Sequence, residues 1–418
     1  MPRAENINPR ILAWARESAG LSLEDAAARL GLNANQAITA ADKLRELENG
    51  EKFPTRNQLA KFASVYRRPL ITFYLSEPPP KASRGEDFRT LRFDVPPREN
   101  AKVDTLLRDI RARQEMVRSI LEDEDAPRLD FVASVAMAHG VQHVVESIAG
   151  RLEFRLDADA RRNGTADDFF RELRIRAERI GVFVLLVGDL GSHHHTISER
   201  VFRGFAIADP IAPFVVINDQ DAKAARSFTL IHELAHIWLG QTGVSGMVEE
   251  DNTTTPQGRV ERFCNDVAGK FLLPDQAFAA RPDFDANDAA QVMRAIIRIA
   301  DGWRVSEPMV AYRIWRLNWI STVVYRDIAG QYAARWQAVR AKAREDAKET
   351  EGGLSYYTVK QFKIGNALLG LVQRSVRENT LSHTKAAKVL GIGPGGVEPL
   401  LRRYEGARGA IVPGLRRG

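Results

Sequence analysis

Two histidines and a glutamate stand at a spacing that suits metal chemistry. Residues 232–236 read His-Glu-Leu-Ala-His, so His232 and His236 are four positions apart. On a helix, positions i and i+4 share one face, so both imidazoles can reach one ion. Neutral imidazole suits zinc, and a catalytic zinc needs a third protein ligand and an open position. Glu233 is rotated about 100° around the helix and can take a proton from an attacking water without ligating the metal. We predict a Zn²⁺ site in which Glu233 is the general base.

The third ligand has several candidates downstream, and the residues alone leave the choice open. Glu261 begins a stretch with a helical apolar face, and Asn265 follows one turn later on the same face. The acidic run 249–251 falls in a loop rich in glycine and threonine, which is typical of solvated charge. Cys264 is of a type that is usually buried as a small hydrophobic residue. The full set of candidates is Glu249, Glu250, Asp251, Glu261, Cys264 and Asp266.

Short β-favouring segments precede the motif, and long helices contain and follow it. We predict strands at 182–187, 203–208 and 213–218, and helices over about 221–239 and 260–273. Strands followed by two helices predict an α+β catalytic core, mostly helical with a small sheet. We expect a substrate peptide to pair with 213–218 as an exposed edge strand, the alternative being a central strand without a free edge.

The first part of the chain reads as a small helical unit with tight glycine turns. Residues 21–31 and 46–75 resemble the XRE-type helix-turn-helix of bacterial and phage repressors. The stretch 31–48 between them is longer than that family's compact turn and recognition helix. The resemblance implies recognition of duplex DNA or of a protein, and the candidates to face a DNA groove are Gln36, Thr39, Lys43 and Arg45.

The rest of the chain divides by composition. Prolines at 78–80 indicate a stiff linker. Residues 381–391 parallel 21–31 in spacing, which indicates either a second helix-turn-helix or an ordinary capped helix pair. The predicted units are a helix-turn-helix at 1–80, a helical linker region at 81–180, a metallopeptidase core at 181–280, a helical, winged-helix-like segment at 281–350 and a basic C-terminal helical domain at 351–418.

The cysteine content, the apolar runs and the net charge indicate the cellular compartment and the partners of the protein. A single cysteine excludes an internal disulfide, and no apolar run approaches the ~20 residues of a membrane helix. The N-terminus lacks the apolar core of a signal peptide. We therefore expect a cytoplasmic protein without a membrane partner. The net charge of +6 permits nucleic-acid binding without establishing it.

The segments around the motif resemble the ImmA/IrrE family of metallopeptidases. Residues 226–240 contain the His-Glu-x-x-His motif and resemble the family's segment around that motif. Residues 261–274 follow the family's pattern E-x-x-A-N-x-F-A-x-x-L-L-x-P, except that Cys264 replaces the alanine and Val267 replaces the phenylalanine. The resemblance implies a zincin-like core in which Glu261 is the third zinc ligand, with Asn265 supporting the site. It also implies a regulatory peptidase whose substrate is a protein such as an XRE-type repressor.

Three consecutive histidines, His193, His194 and His195, lie between the first two predicted strands. Consecutive residues seldom point at one ion, so a polar rim of the active site is favoured over a second metal site. One of these histidines is a candidate to stabilise a developing oxyanion.

Two other functions compete with peptide hydrolysis. One is a DNA-binding transcriptional regulator whose zinc domain senses a signal or binds a partner without hydrolysis, and the other is an antitoxin-like partner protein. Glu233 favours the enzyme, because a scaffold needs the metal ligands but no general base.

Overall fold

The computed structural model describes residues 3–4, 7–35, 37–79, 97–155, 164–190, 196–199, 201–245, 255–278, 282–349 and 355–411. Within these ranges, helices surround one four-stranded sheet, which confirms the predicted, mostly helical α+β class. No helix of the described chain is long and apolar enough to cross a membrane. The helices are α1 (Pro9–Ser18), α2 (Leu23–Leu30), α3 (Ala40–Glu48), α4 (Arg56–Val65), α5 (Pro97–Asp123), α6 (Val141–Arg151), α7 (Ala166–Arg179), α8 (Arg226–Trp238), α9 (Pro256–Leu272), α10 (Ala289–Trp303), α11 (Glu307–Arg316), α12 (Thr322–Glu349), α13 (Tyr356–Ile364), α14 (Asn366–Arg377), α15 (His383–Leu390) and α16 (Val397–Ile411).

Helices α1–α4 form a unit with its own hydrophobic core. Ser22 and Thr39 cap α2 and α3 with their side-chain oxygens, which satisfies backbone N–H groups at each N-terminus. Gly31 ends α2 in the left-handed conformation that favours glycine. The turn from α2 to α3 spans residues 31–39, so the lengthened middle of this motif lies in the turn.

The sheet contains the three predicted strands and one more. Its strands are β1 (Phe183–Leu186), β2 (Gly204–Ile207), β3 (Phe214–Ile217) and β4 (Gly243–Ser245), in the order β1-β3-β2-β4. The pair β1–β3 is parallel, and β3–β2 and β2–β4 are antiparallel. The expectation that 213–218 is an exposed edge is wrong, because β3 is hydrogen-bonded to a strand on each side. Strand β4 was not predicted, because three residues in a glycine- and threonine-rich loop carry no strand pattern.

Both faces of the sheet are buried, and each lies against its own set of helices. Successive side chains of a strand point to opposite faces. On one face, Val215 and Ile217 join a core that also contains residues of α6–α12. On the other, Phe214 and Val216 join a core that contains residues of α5 and α13–α16. These two cores cross the unit boundaries that composition suggests near 280 and 350.

A buried ion pair joins the C-terminal helices to the sheet. Arg174 and Glu178 of α7 are bonded to each other, with 3.0 Å between Nε and Oε1. The Arg174 guanidinium also donates to the carbonyls of Val184 in β1 and Phe362 in α13, while Glu178 accepts from the backbone N–H of Asn366 at 3.0 Å. The cation therefore lies at the end of α13 and the anion at the start of α14, as the helix dipoles favour.

The central position of β3 makes a proline there destructive. Val216→Pro should abolish the native fold, because proline removes a backbone N–H and is not tolerated inside a sheet. Val216→Ala keeps the N–H and should lose only roughly 2–3 kcal/mol of stability from packing. Circular dichroism and thermal unfolding of the two variants test this. Cooperative unfolding of the proline variant near the wild-type temperature would contradict the central assignment.

Candidate metal centre and active site

Helix α8 carries the His-Glu-x-x-His segment through the interior. It packs beneath β2 and β3 and against α9. His232, Glu233 and His236 are 3%, 0% and 1% exposed. Polar groups this deeply buried need partners, because their desolvation is costly. The helix therefore places three ionisable side chains where they must be satisfied by neighbours or by a ligand.

Helix α9 brings the third polar group to this place. Thr255 caps α9 and Pro256 occupies its first turn, where a missing N–H costs nothing. Glu261 follows five residues after Pro256 and faces both histidines. Its carboxylate oxygens lie 3.3 Å from His232 Nε2 and 3.3 Å from His236 Nε2. The two Nε2 atoms are 3.1 Å apart.

These separations fit a tetrahedral metal. Zinc bonds to nitrogen and oxygen of about 2.0–2.1 Å place neighbouring ligand atoms about 3.3 Å apart in a tetrahedron. The two Nε2 atoms are within a few tenths of an ångström of that separation, and so is each Nε2 from one Glu261 oxygen, a different oxygen for each histidine. Among the described residues, these three side chains form the group whose donor atoms can share one ion. The donor set, two imidazoles and a carboxylate, leaves one tetrahedral position open.

The electrostatics of the trio centre on the Glu261 carboxylate. Burial disfavours its charged form, but the adjacent histidines hold its pKa below the ordinary range. Burial lowers the pKa of His232. At His236 burial acts the same way, but the neighbouring Cys264 and Glu261 outweigh it and raise the pKa well above the ordinary value. The Glu261 anion is thus retained beside two buried imidazoles, and a metal cation and protons compete to neutralise its charge.

The general-base candidate lies against the backbone of β2. A Cβ built on Gly204 would lie 2.7 Å from Glu233 Oε1 and 2.6 Å from the Thr229 methyl. Both distances are too short for real contacts, so glycine is required there for Glu233 to keep its position. Sequence reasoning missed Gly204, although a glycine inside the predicted strand 203–208 is a known signal of close backbone approach.

The structure separates the other predicted residues. Asn265 is buried, and its side chain interacts with His232, as expected of a supporting residue. Cys264 lies beside His236 but outside the metal-compatible group. Asp266 turns to α11, where it accepts from Tyr312 at 2.8 Å and from Arg316 at 2.7 Å. The histidines 193–195 and the acidic run 249–251 lie outside the described residues.

The predicted groove-facing residues of the first unit are engaged within it. The Thr39 hydroxyl caps α3. Lys43 Nζ donates to the Asn33 carbonyl at 2.7 Å and so closes the long turn. Arg45 is exposed and forms an ion pair with Asp42. Gln36, the fourth candidate, lies outside the described residues.

Comparisons with known families agree with the resemblances seen in the sequence. Residues 177–314 match the peptidase M78 family model, described as an IrrE N-terminal-like domain. Residues 10–70 match a helix-turn-helix domain model. No curated protein and no solved structure matches the chain. The recognition of a peptidase-type domain of the ImmA/IrrE kind behind an N-terminal helix-turn-helix is therefore confirmed.

Removing Glu261 should weaken zinc binding far more than removing its neighbour on α9. Glu261→Ala deletes one of three converging donors and should lower zinc affinity by more than the roughly 10–100-fold typical of supporting residues. Cys264→Ala, the matched control, should bind zinc within a few-fold of wild type. Competition with a chromogenic chelator measures both affinities. Tight binding by the first variant with loss in the second would reassign the third ligand to the thiol.

Proposed function

We propose that this protein is a zinc-dependent endopeptidase that acts in gene regulation, in stress or mobile-element responses, by cleaving a protein such as a transcriptional repressor. The observation that carries the proposal is the convergence of Glu261 on the buried imidazoles of His232 and His236, with Glu233 next to them. The match of 177–314 to a peptidase family supports the same reading.

Each residue of the proposed site has a separate role in binding the metal or in catalysis. His232, His236 and Glu261 would hold the ion, and Asn265 would fix the orientation of His232. Zinc held there would supply Lewis acidity, which activates water and polarises a peptide carbonyl. Glu233 accepts the proton of the attacking water and returns it to the leaving amine. Gly204 keeps the backbone of β2 clear of that carboxylate.

The sheet offers one edge to an extended substrate. At the β1 edge, the Val184 carbonyl already accepts from Arg174, and α13 packs there. Within the described strands, β4 pairs with β2 alone, and its Ser245 lies opposite Gly204. Adjacent strands lie about 4.8 Å apart, so a peptide added to β4 lies two strand spacings from Gly204 and Glu233. Such pairing uses backbone atoms and favours cleavage in flexible loops of a folded substrate.

The helix-turn-helix at 10–70 supports a regulatory role. A separate core lets this unit recognise a macromolecule without altering the catalytic centre. It would either recruit the peptidase to DNA or dock it to a repressor of similar architecture. The competing function is a regulator that binds zinc without hydrolysis, and the placement of Glu233 beside the trio argues for the enzyme.

Glu233→Gln should remove proteolysis and leave zinc binding intact, because the amide is nearly isosteric but accepts no proton. General-base catalysis contributes roughly 10²–10⁴-fold, so the cleavage rate should fall by that order. Zinc-loaded wild type and variant are incubated with candidate repressors from the protein's own genome, and fragments are mapped by mass spectrometry. Equal cleavage by both proteins would remove Glu233 from the mechanism, and zinc loss would make the variant uninformative about the base.

Gly204→Ala should slow cleavage by about tenfold or more while zinc affinity changes little, because the added methyl displaces Glu233 and its three nearest atoms belong to none of the proposed ligands. Gly302→Ala is the matched control, since nothing lies within 4 Å of its added Cβ. Adding Thr229→Ser to Gly204→Ala removes the methyl that also blocks the new Cβ. Full recovery of activity in that double variant would show that the clash with Thr229, and not the displacement of Glu233, causes the defect.

A further inference from the structure

In the C-terminal segment, α15, a turn and α16 follow one another in the element order of a helix-turn-helix. Ser382 caps α15, and Gly391 ends it in the left-handed conformation. A single 3₁₀ turn, Pro394–Gly396, then leads directly into α16. The turn between the helices, residues 391–396, is shorter than residues 31–39 of the first unit. This second motif therefore has the compact form that the N-terminal motif lacks.

The motif is held rigidly on the body of the protein. Val389 and Leu390 of α15 and Leu400 and Tyr404 of α16 are buried in the core that backs the sheet. The Arg113 guanidinium of α5 lies against Gly391, at the turn itself. Both helices therefore present a fixed outer face to solvent.

That outer face is continuous and basic. His383 at the start of α15 lies 3.7 Å from Glu398 of α16, which pairs with Arg402 at 2.8 Å, so the exposed sides of the two helices meet. Lys385, Lys388, Arg402 and Arg403 are all exposed. Within the described part of the chain, Lys385, Lys388 and Arg403 form no ion pair, so their charges are available to a partner.

The two motifs differ in charge. Residues 23–48 of the first carry three basic and five acidic side chains, whereas residues 383–406 of the second carry four basic and two acidic. The last twelve residues of the chain add three arginines and no acid. In the first motif, Lys43 and Arg45 are also committed to internal contacts.

We propose that the C-terminal helix-turn-helix binds duplex DNA through its phosphates and is the main DNA contact of the protein. Unpaired cations on two helices that pack across a short turn suit the regularly spaced phosphates of a duplex, and the helix-turn-helix arrangement is one that DNA-binding proteins use. At the turn, an ideal Cβ on Gly393 or Gly395 meets nothing within 4 Å, so backbone N–H groups can approach a phosphate closely. This binding goes beyond the proposed peptidase function and does not depend on it.

The test uses the full chain and a labelled random-sequence duplex of about 30 base pairs, with fluorescence anisotropy measured over a range of salt concentrations. Lys385→Gln, Lys388→Gln and Arg403→Gln are combined in one variant. Its affinity at low salt should fall at least about tenfold, and the slope of log K against log salt should fall by about three, one for each lost phosphate contact. The matched control combines Lys43→Gln, Arg45→Gln and Lys52→Gln, which removes three charges from the first unit, and should bind within about twofold of wild type.

Circular dichroism and thermal melting of both variants establish that each is folded. Absence of duplex binding by wild type at low salt would overturn the proposal. So would an equal loss in the control variant, which would place the contact on the first unit. Equal competition by polyglutamate of the same total charge would assign the surface to acidic proteins instead.

Discussion

A carboxylate held between two buried imidazoles is the interaction on which the rest of this structure depends. The partial burial of Glu261 disfavours its charged form, because the carboxylate loses water. His232 and His236 offset that cost at 3.3 Å, and the offset exists only while α8 and α9 remain packed together. The donor atoms of His232, His236 and Glu261 also converge on one point. The arrangement that stabilises the carboxylate is therefore also one that can bind a cation.

The sheet and the helices behind it hold this packing in place. Strand β2 lies over α8 and leaves only the space that Gly204 provides for Glu233. Its neighbour β3 is buried on both faces, so the first sheet face positions the metal centre while the second carries the C-terminal helices. The Arg174–Glu178 pair links the two layers across one edge. The centre is therefore supported from both sides of the sheet and by elements distant in sequence.

The sequence predicted what local patterns encode. The helical spacing of His232 and His236, the three apolar strands and the tight glycine turns of the first unit all follow from short-range rules. The choice of Glu261 among six candidates rested on resemblance, since helix packing decides which acid meets the histidines. The order of the strands could not be predicted, because it depends on pairing between distant segments. For this reason the expectation that 213–218 is an edge strand was wrong. The contact between Arg174 and Phe362 likewise has no local signature.

Zinc K-edge X-ray absorption of the zinc-loaded protein would identify the donor atoms at the metal themselves. Ligation by His232, His236 and Glu261 predicts nitrogen and oxygen donors alone at about 2.0–2.1 Å, four in number, with the multiple-scattering signature of two imidazoles. A sulfur shell at about 2.3 Å would place Cys264 in the coordination sphere and contradict the assignment of Glu261.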